Sequence, residues 1–371
     1  MSSAELLSFT AEDHKYMARA IQLAKKGMYL TAPNPNVGCV LVKDNEIVGE
    51  GWHAKAGEAH AEVNALKQAG QKAEGATAYV TLEPCCHHGK TPPCSDALIK
   101  AKVKHVIAAM IDPHSKVAGN GLKQLEQAGV YVQHGLLEEQ AKALNPGFIK
   151  RMQQGLPYVR CKLAMSLDGR TAMASGESKW ITSAAAREDV QYLRAKSAAI
   201  VTGVGTVLAD DPSMTVRLEG EYKQPIRVVV DTNLSMPTTA KMLSEPGKTI
   251  LMTCSADDAI AQVLKDAGAD IHVMPYCNTS VDLKSVLQQL SDMHINDVLL
   301  ETGATLSGAM LQAGLIDELI IYMAPVLMGN DARGLFALPG LENMQDKIEL
   351  DIIDQRLVGQ DIRLTAKVRQ H

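Results

Sequence analysis

The pattern of apolar and polar positions divides the first part of the chain into alternating helices and strands. Apolar positions recur with helical spacing over residues 13–26, 61–69, 96–101 and 122–127, and strand-like runs cover residues 37–43, 46–52, 76–82, 105–110 and 131–134. Asp44-Asn45 lies between two of these runs, which predicts a β-hairpin. Helices that alternate with strands are typical of an α/β sheet covered on both faces.

A second alternating pattern follows a polar linker. A helix is predicted over residues 137–152, interrupted at Asn145-Pro146-Gly147, and residues 153–157 are the linker. Beyond it, helices are predicted over residues 184–195 and 309–312, and strands over residues 158–165, 170–174, 198–204, 226–230, 249–253, 297–300 and 318–324. We therefore expect two α/β domains, residues 1–150 and 151–371, which suits a chain of 371 residues.

The composition favours small-molecule partners over nucleic acid. The net charge is -5 and aromatic residues make up 4%, whereas nucleic-acid binding usually needs a basic excess or exposed rings for stacking. No apolar run approaches the length of a membrane span, and residues 1–13 lack the basic and apolar blocks of a signal peptide. Seven cysteines in such a chain argue against a disulfide framework, so we expect a reduced, cytoplasmic protein without a membrane partner.

A histidine, a glutamate and two cysteines form the strongest chemical signal. His60-Ala61-Glu62 opens a predicted helix, and Cys85 and Cys94 follow it along the chain. A catalytic zinc ion takes three protein ligands and leaves one position for water. His60, Cys85 and Cys94 would be the ligands. Glu62 would be the catalytic residue that moves protons.

The cysteine spacing leaves alternatives open. Zinc deaminases share the signature H-x-E followed by P-C-x-x-C, but here eight residues separate Cys85 from Cys94. The intervening Cys86, His87 and His88 are rival ligands. A closed structural zinc site is the other interpretation, but such a site has no use for a glutamate beside its histidine.

The motifs as a set resemble one enzyme family, the bifunctional RibD (or RibG) family of riboflavin biosynthesis. The long cysteine spacing is that family's own form, and the resemblance covers nearly the whole chain. It rests on His60-Ala61-Glu62, Thr81-Leu82-Glu83-Pro84-Cys85, Gly89-Lys90-Thr91-Pro92-Pro93-Cys94, Ser166-Leu167-Asp168-Gly169-Arg170, Ser178-Lys179-Trp180-Ile181-Thr182, Val207-Leu208-Ala209-Asp210-Asp211-Pro212 and Glu301-Thr302-Gly303, with Ala32-Pro33-Asn34-Pro35-Asn36-Val37-Gly38 as a substrate-lining loop.

For the first domain, the resemblance implies a cytidine-deaminase-like α/β/α fold. That domain would bind Zn²⁺ and deaminate 2,5-diamino-6-(5-phosphoribosylamino)pyrimidin-4(3H)-one. Asn34 would line the pocket, and Lys90, with His87 or His88, would hold the phosphate of the substrate. Taken by itself, Lys90 is equally well interpreted as a solvated loop cation.

The second half gives weaker signals from its residues alone. Gly203-Val204-Gly205-Thr206-Val207-Leu208 begins like a dinucleotide-binding motif but lacks the third glycine. The segment from Glu301 to Ala309 predicts a turn onto a helix start, where backbone N–H groups bind phosphate. An ordinary strand-to-helix turn with small residues is the alternative interpretation.

For the second domain, the resemblance implies an α/β fold similar to dihydrofolate reductase. NADPH would reduce the ribosyl group of 5-amino-6-(5-phosphoribosylamino)uracil to a ribityl group. The implied NADPH contacts are Ala164, Trp180, Thr206, Gly303, Ala304, Thr305, Leu306, Ser307, Gly308 and Ala309. The implied substrate contacts are Lys162, Ser178, Arg194, Asp210, Ser213, Arg217 and Glu301, with Arg194 and Arg217 suited to phosphate. The proton donor is left open among Lys162, Asp210 and Glu301.

Two other functions remain as alternatives. One is a zinc deaminase of another nucleoside or of a tRNA base, with an unrelated nucleotide-binding second domain. The other is a zinc-stabilised module that senses a nucleotide without catalysis. Glu62 distinguishes them, because a sensor would tolerate its loss. The family resemblance also implies a homodimer or homotetramer.

Overall fold

A computed structural model describes residues 9–86, 92–114, 118–278 and 280–369. The chain divides into two compact units between Gly155 and Leu156, inside the predicted linker. Position 150 lies within a helix of the first unit. No helix in the described part of the chain is long and apolar enough to cross a bilayer.

The first unit contains one five-stranded sheet. Its helices are α1 (Ala11–Ala24), α2 (Ala61–Ala69), α3 (Cys94–Lys100), α4 (Asn120–Gln127), α5 (Glu138–Lys142) and α6 (Pro146–Gln154), with 3-10 helices at Lys25–Gly27 and Gly70–Ala73. Its strands are β1 (Gly38–Lys43), β2 (Glu46–Trp52), β3 (Thr77–Val80), β4 (His105–Ala108) and β5 (Tyr131–His134). The strand order is β2-β1-β3-β4-β5. β1 is antiparallel to β2 and β3, and β3, β4 and β5 are parallel.

Alternate residues of β1 enter two apolar clusters, one on each face of this sheet. Cys39 and Leu41 pack with α2, α3 and α4, whereas Val40 and Val42 pack with α1, α5 and α6. The hairpin at Asp44-Asn45 is confirmed, and both residues have positive φ, as two-residue hairpin turns require. The prediction of a sheet with helices on both faces is also confirmed.

Two glycines of β2 let helix α2 lie directly on the sheet. A Cβ atom at Gly51 would lie 2.2 Å from the carbonyl oxygen of Ala61 and 2.4 Å from the backbone nitrogen of Ala65. A Cβ atom at Gly49 would lie 2.3 Å from the carbonyl oxygen of Ala65. Larger residues would therefore push α2 away from the sheet.

The second unit is built on a nine-stranded sheet. Its helices are α7 (Ala184–Lys196), α8 (Val204–Asp210), α9 (Lys241–Ser244), α10 (Asp258–Asp266), α11 (Leu283–Asp292) and α12 (Ala304–Gln312), with a 3-10 helix at Met344–Asp346. Its strands are β6 (Tyr158–Ser166), β7 (Arg170–Ala172), β8 (Ala199–Gly203), β9 (Ile226–Val230), β10 (Thr249–Thr253), β11 (Ala269–Val273), β12 (Tyr276–Cys277), β13 (Ser280–Val281), β14 (Asp297–Leu300), β15 (Glu318–Ala324), β16 (Arg333–Gly334), β17 (Leu350–Val358) and β18 (Asp361–Val368).

From two neighbouring strands of this sheet, β8 and β14, the chain continues toward opposite edges. The order is β11-β10-β9-β8-β14-β6-β15-β18-β17, parallel from β11 to β15 and antiparallel at β18 and β17. The chain leaves β8 through α8 toward β9 on one side, and leaves β14 through α12 toward β15 on the other. Open α/β sheets bind ligands at the carboxyl ends of strands where this happens.

In this unit one predicted helix begins at a different residue, and one hairpin was not predicted. The helix predicted over residues 309–312 begins at Ala304, five positions earlier than predicted. Gly308 disfavours a helix locally, but its packing against the carbonyl oxygen of Ala337 holds it there. The β17–β18 hairpin was not predicted, because β17 is an edge strand whose residues are mostly exposed.

We predict that Gly51→Ala lowers the free energy of unfolding of the first unit by about 1–3 kcal/mol, because overpacking forces α2 to move. The measurement is urea unfolding followed by Trp52 fluorescence, with Trp180 replaced by Phe as background, since these are the two tryptophans. Glu46→Ala, at an exposed position of the same strand, is the control and should change the value by less than about 0.5 kcal/mol. Equal effects of the two variants would contradict the close packing.

Candidate active sites

His60, Cys85 and Cys94 come together in the first unit. Their ligand atoms all lie within 4.8 Å of one another. His60 Nδ1 is 3.2 Å from Cys94 Sγ and 3.6 Å from Cys85 Sγ. A tetrahedral zinc ion with ordinary bond lengths would place such N and S atoms about 3.6 Å apart. The donor set and its spacing therefore fit zinc.

Local structure explains how these atoms meet. His60 is the N-cap residue of α2, with extended backbone, so its side chain lies at the helix start. Cys94 begins α3 directly after Pro93, and its N–H donates to Cys85 Sγ at 3.3 Å. Cys85 lies in the loop after β3. The positive N-terminal end of a helix and nearby N–H donors both favour the thiolate form of cysteine.

The two thiols titrate as a pair. The neighbouring Cys94 and the His60 ring hold the pKa of Cys85 below its usual range. The Cys85 sulfur and burial raise the pKa of Cys94. One thiolate therefore forms readily in the metal-free protein, and a bound cation favours the second.

Glu62 lies in the first turn of α2 and is buried, with 3% of its surface exposed. Burial, followed by the charge of Cys85, raises its pKa to about 7. A carboxyl group that titrates near neutral pH gives and takes a proton with equal ease there.

His53 lies beside the metal-binding cluster, although the sequence favours a core or hairpin histidine at this position over a metal ligand. Its ring lies edge-on to that of His60, with centroids 5.4 Å apart. Nδ1 lies 3.2 Å from the carbonyl oxygen of Ala59, so it carries the hydrogen, and Nε2 accepts from the Asn34 amide at 3.1 Å. Burial lowers the pKa of His53, which keeps this ring neutral.

The structure also decides part of the ligand question. Cys86 is described but does not belong to the metal-binding cluster found among the described residues. His87, His88 and Lys90 lie outside the described residues.

In the second unit, three of the expected substrate residues lie together at the carboxyl ends of β6 and β14. The Glu301 carboxylate accepts two hydrogen bonds from Arg194, at 2.7 and 2.9 Å. This cation keeps the pKa of Glu301 low against the effect of burial. Lys162 is adjacent on β6, and its ammonium has no hydrogen bond among the described residues. Desolvation lowers the pKa of Lys162.

Two glycines form open backbone surface at the same edge. A Cβ atom at Gly205 or Gly303 would meet nothing within 4 Å. Gly303 is the N-cap residue of α12, so the first N–H groups of that helix, which have no partner within the helix, follow this open position directly. Because β8 and β14 are neighbours, Gly205 and Gly303 lie at one end of the sheet. This backbone cradle fits the phosphates of a dinucleotide.

The other residues expected to contact NADPH differ in how far they are exposed. Ser307 and Gly308 are buried on the inner face of α12, where Ser307 contacts Cys161 and Gly308 contacts Ala337. Trp180 is 70% exposed. The remaining residues are Ala164, half-buried on β6, Thr206 in α8, and Ala304, Thr305, Leu306 and Ala309 in α12.

The remaining substrate candidates lie in loops of the second unit or, for Asp210, at the end of α8. Asp210 is paired with Lys179 at 3.1 Å. Ser178 and Ser213 are half-buried in loops. Arg217 is exposed, and its guanidinium has no hydrogen bond within the described ranges. It borders an open cavity of about 540 Å³ that is also lined by Arg187, a residue the sequence did not indicate and which lies 4.6 Å from the Trp180 ring.

Comparison with known proteins connects both units to one family. The sequence profile "Cytidine and deoxycytidylate deaminase zinc-binding region" matches residues 10–110, and "RibD C-terminal domain" matches residues 157–364. The chain is 51% identical to the Escherichia coli riboflavin biosynthesis protein RibD over 370 residues, which cover 95% of this chain and 98% of the relative.

Solved structures agree with this similarity over nearly full length. An Acinetobacter baumannii RibD structure superposes with a TM-score of 0.89 at 49% identity, covering 96% of this chain and 99% of the other. A Thermotoga maritima diaminohydroxyphosphoribosylaminopyrimidine deaminase/5-amino-6-(5-phosphoribosylamino)uracil reductase gives 0.86 at 32% identity, covering 96% and 99%. The expected α/β fold, a deaminase-type domain followed by a reductase domain, is confirmed. The chain therefore belongs to the RibD family of riboflavin biosynthesis, as a bifunctional enzyme with a zinc-dependent deaminase domain and an NADPH-dependent reductase domain.

Proposed function

We propose that the first unit deaminates 2,5-diamino-6-(5-phosphoribosylamino)pyrimidin-4(3H)-one and that the second reduces the resulting 5-amino-6-(5-phosphoribosylamino)uracil. The observation that carries this proposal is the cluster of His60, Cys85 and Cys94 with Glu62 buried beside it. The reactions named for the Thermotoga maritima relative support the choice of substrates.

In the first unit, His60, Cys85 and Cys94 hold Zn²⁺. When bound, the ion is a Lewis acid that lowers the pKa of water to near neutrality. Glu62 takes a proton from the attacking water and delivers it to the leaving amine. The ring carbon gains an oxygen and loses nitrogen, and water is consumed as ammonia is released. A pKa near neutrality suits both transfers.

Asn34 orients the pyrimidine ring in this proposal. Because its amide nitrogen donates to His53, its carbonyl oxygen is left to accept a hydrogen bond from a substrate N–H. Lys90 and His87, which lie outside the described residues, are assigned to the substrate phosphate on the family resemblance.

In the second unit, Lys162 is the best of the three candidate proton donors. Glu301 stays ionised because Arg194 is bound to it through two hydrogen bonds. Asp210 is occupied by Lys179. Within the described part of the chain the Lys162 ammonium has no hydrogen bond, and its lowered pKa makes it a better acid. It delivers the proton that accompanies hydride addition to the ring-opened C1′ of the ribosyl group.

NADPH and the substrate share the carboxyl edge of this sheet. When bound, NADPH supplies the hydride. Gly303, Ala304, Thr305 and Leu306 offer backbone N–H groups at the start of α12 to its phosphates. Trp180 contacts the cofactor in this proposal through its exposed ring, which lies 4.6 Å from the Arg187 guanidinium. Arg217 binds the substrate phosphate, because Arg194 is already paired with Glu301.

The remaining partners follow from this assignment. The substrates are small molecules made in the cytoplasm, where all seven free cysteines stay reduced. We also propose a homodimer or homotetramer, supported by the exposed side chains of Ile352 and Leu357 on edge strand β17, which are 64% and 73% exposed.

We predict that Glu62→Gln keeps zinc but lowers ammonia release from the diaminopyrimidinone phosphoriboside by at least about 10²-fold, because no group carries the proton. The measurement combines ammonia release, zinc content and NADPH absorbance in one sample. When wild-type protein is given this substrate, it should oxidise NADPH, and the oxidation should stop once a chelator removes the zinc. With the deaminated substrate supplied, both the variant and the chelated protein should oxidise NADPH at the wild-type rate.

Glu46→Gln, exposed on β2, is the control and should behave as the wild type. Ammonia release at the wild-type rate by Glu62→Gln would reject the catalytic assignment. NADPH left unused while ammonia appears would reject the reductase assignment alone.

Glu62 also makes the stability of the metal-free protein depend on pH. Its folded pKa of about 7 lies above the ordinary 4.5, so its stabilising contribution is complete below about pH 4.5 and is lost as the pH rises through 7. We predict that the contribution of Glu62, taken as the difference from Glu62→Gln, falls by about 3 kcal/mol between these values. Urea unfolding of chelated protein, reported by Trp52 in the Trp180→Phe background, measures it. The titration of Cys85 is present in both proteins, so the difference in stability between the wild type and Glu62→Gln isolates the effect of Glu62. A difference that does not change with pH would contradict the buried carboxyl.

We predict that Lys162→Met lowers kcat for the reduction by about 10²- to 10⁴-fold with little change in the KM for NADPH, because the proton donor is lost. Steady-state NADPH oxidation with the deaminated substrate measures both constants. Lys162→Arg is the matched variant, since it keeps the charge but does not release a proton. Recovery of kcat in Lys162→Arg would mean that only the charge matters.

A further inference from the structure

Helix α4 contributes no residue to the metal-binding cluster, yet it contacts both segments that carry the cysteines. One contact is to Glu83 and Pro84, which precede Cys85 directly. The other is to the first turn of α3, which begins with Cys94. The mechanism does not use these contacts, so their role needs a separate explanation.

Glu83 caps α4 from a different segment of the chain. Its carboxylate is 3% exposed and accepts hydrogen bonds from the N–H groups of Gly121 at 2.8 Å and Leu122 at 3.4 Å, in the first turn of the helix. It also accepts from Gly119 at 2.8 Å and Asp112 at 3.0 Å. The N-cap residue, Gly119, has no side chain with which to cap its own helix. A negative charge at a helix start is also favoured by the helix dipole.

The start of α4 rests on the backbone next to Cys85. A Cβ atom at Gly121 would lie 2.0 Å from the carbonyl oxygen of Pro84. Only glycine allows the helix to come this close. The position of α4 and the position of the Pro84–Cys85 peptide are therefore fixed together.

One turn further along, Gln124 joins α4 to the residues after Cys94. Its Oε1 accepts from the Ser95 hydroxyl at 2.8 Å, and its Nε2 donates to the Asp96 carboxylate at 2.6 Å. Ser95 is fully buried, and both its N–H and its hydroxyl lie 3.1 Å from the carbonyl oxygen of Cys85. Gln124 thus holds the residue that connects the two cysteine segments.

The spacing of the cysteines explains why such a helix is needed. When two residues separate two cysteines, a single turn of backbone sets the distance between their sulfur atoms. Here eight residues separate Cys85 from Cys94, so a single turn cannot set it. We infer that α4 braces the site and that Gln124 is a positioning residue, which holds Cys85 and Cys94 at the separation that zinc requires. This inference rests on the proposed zinc site.

Gln124→Met tests the brace, because methionine keeps the length and helix propensity of glutamine without its hydrogen bonds. We expect the zinc dissociation constant of the full-length protein, measured by competition with a chromophoric chelator, to rise about 10- to 100-fold. In Co²⁺-substituted protein the visible absorption of a tetrahedral site should weaken and shift, because the sulfur atoms are less well placed. Gln127→Met, exposed on the same helix, is the matched control and should match the wild type in both measurements.

Ser95→Ala is the second variant and removes the same hydrogen bond from the other partner. If Gln124 acts through Ser95, the double variant should bind zinc no more weakly than the worse single variant. If circular dichroism shows that Gln124→Met does not fold, Ser95→Ala alone carries the test, and its zinc dissociation constant should rise above that of the wild type. Wild-type zinc affinity and an unchanged Co²⁺ spectrum in both single variants would overturn the brace alone. Zinc affinity at the wild-type level in His60→Ala or Cys94→Ala would overturn the proposed zinc site, and the brace with it.

Discussion

Three ligand atoms from three separate segments must meet within a few ångströms, and the first unit is arranged around that requirement. His60 comes from the start of α2, Cys85 from the loop after β3, and Cys94 from the start of α3. A site of this kind tolerates displacements of only about 0.5 Å. Each segment is therefore held by close contacts: α2 lies on the glycines of β2, and α4 touches both cysteine segments.

In each unit, burial shifts the pKa of the group that transfers protons, and the two shifts have opposite directions. Desolvation disfavours the charged form, so it raises the pKa of the carboxyl group of Glu62 and lowers that of the ammonium of Lys162. Both pKa values are shifted toward neutral pH, where proton transfer in either direction is easiest. Glu301 is equally enclosed but remains ionised, because Arg194 compensates its charge.

Sequence prediction succeeded where a feature depends on neighbouring residues. The hairpin at Asp44-Asn45 follows from two residues that accept positive φ, and the start of α2 at His60 follows from the spacing of apolar positions after it. Prediction failed where distant contacts outweigh local preference. The start of α12 was placed too late because Gly308 disfavours a helix until Ala337 packs against it.

The sequence by itself determined the chemical types available: one imidazole, two thiols and a carboxyl group in a spacing typical of zinc deaminases, followed by the motifs of a reductase. Only the tertiary structure decided which of them act together. It left Cys86 out of the cluster and brought His53 against Asn34. Among the described residues, it gave Glu301 a hydrogen-bonded cation and gave the Lys162 ammonium no hydrogen bond. Side-chain chemistry belongs to each residue, whereas burial and pairing arise only when segments far apart in the chain pack together.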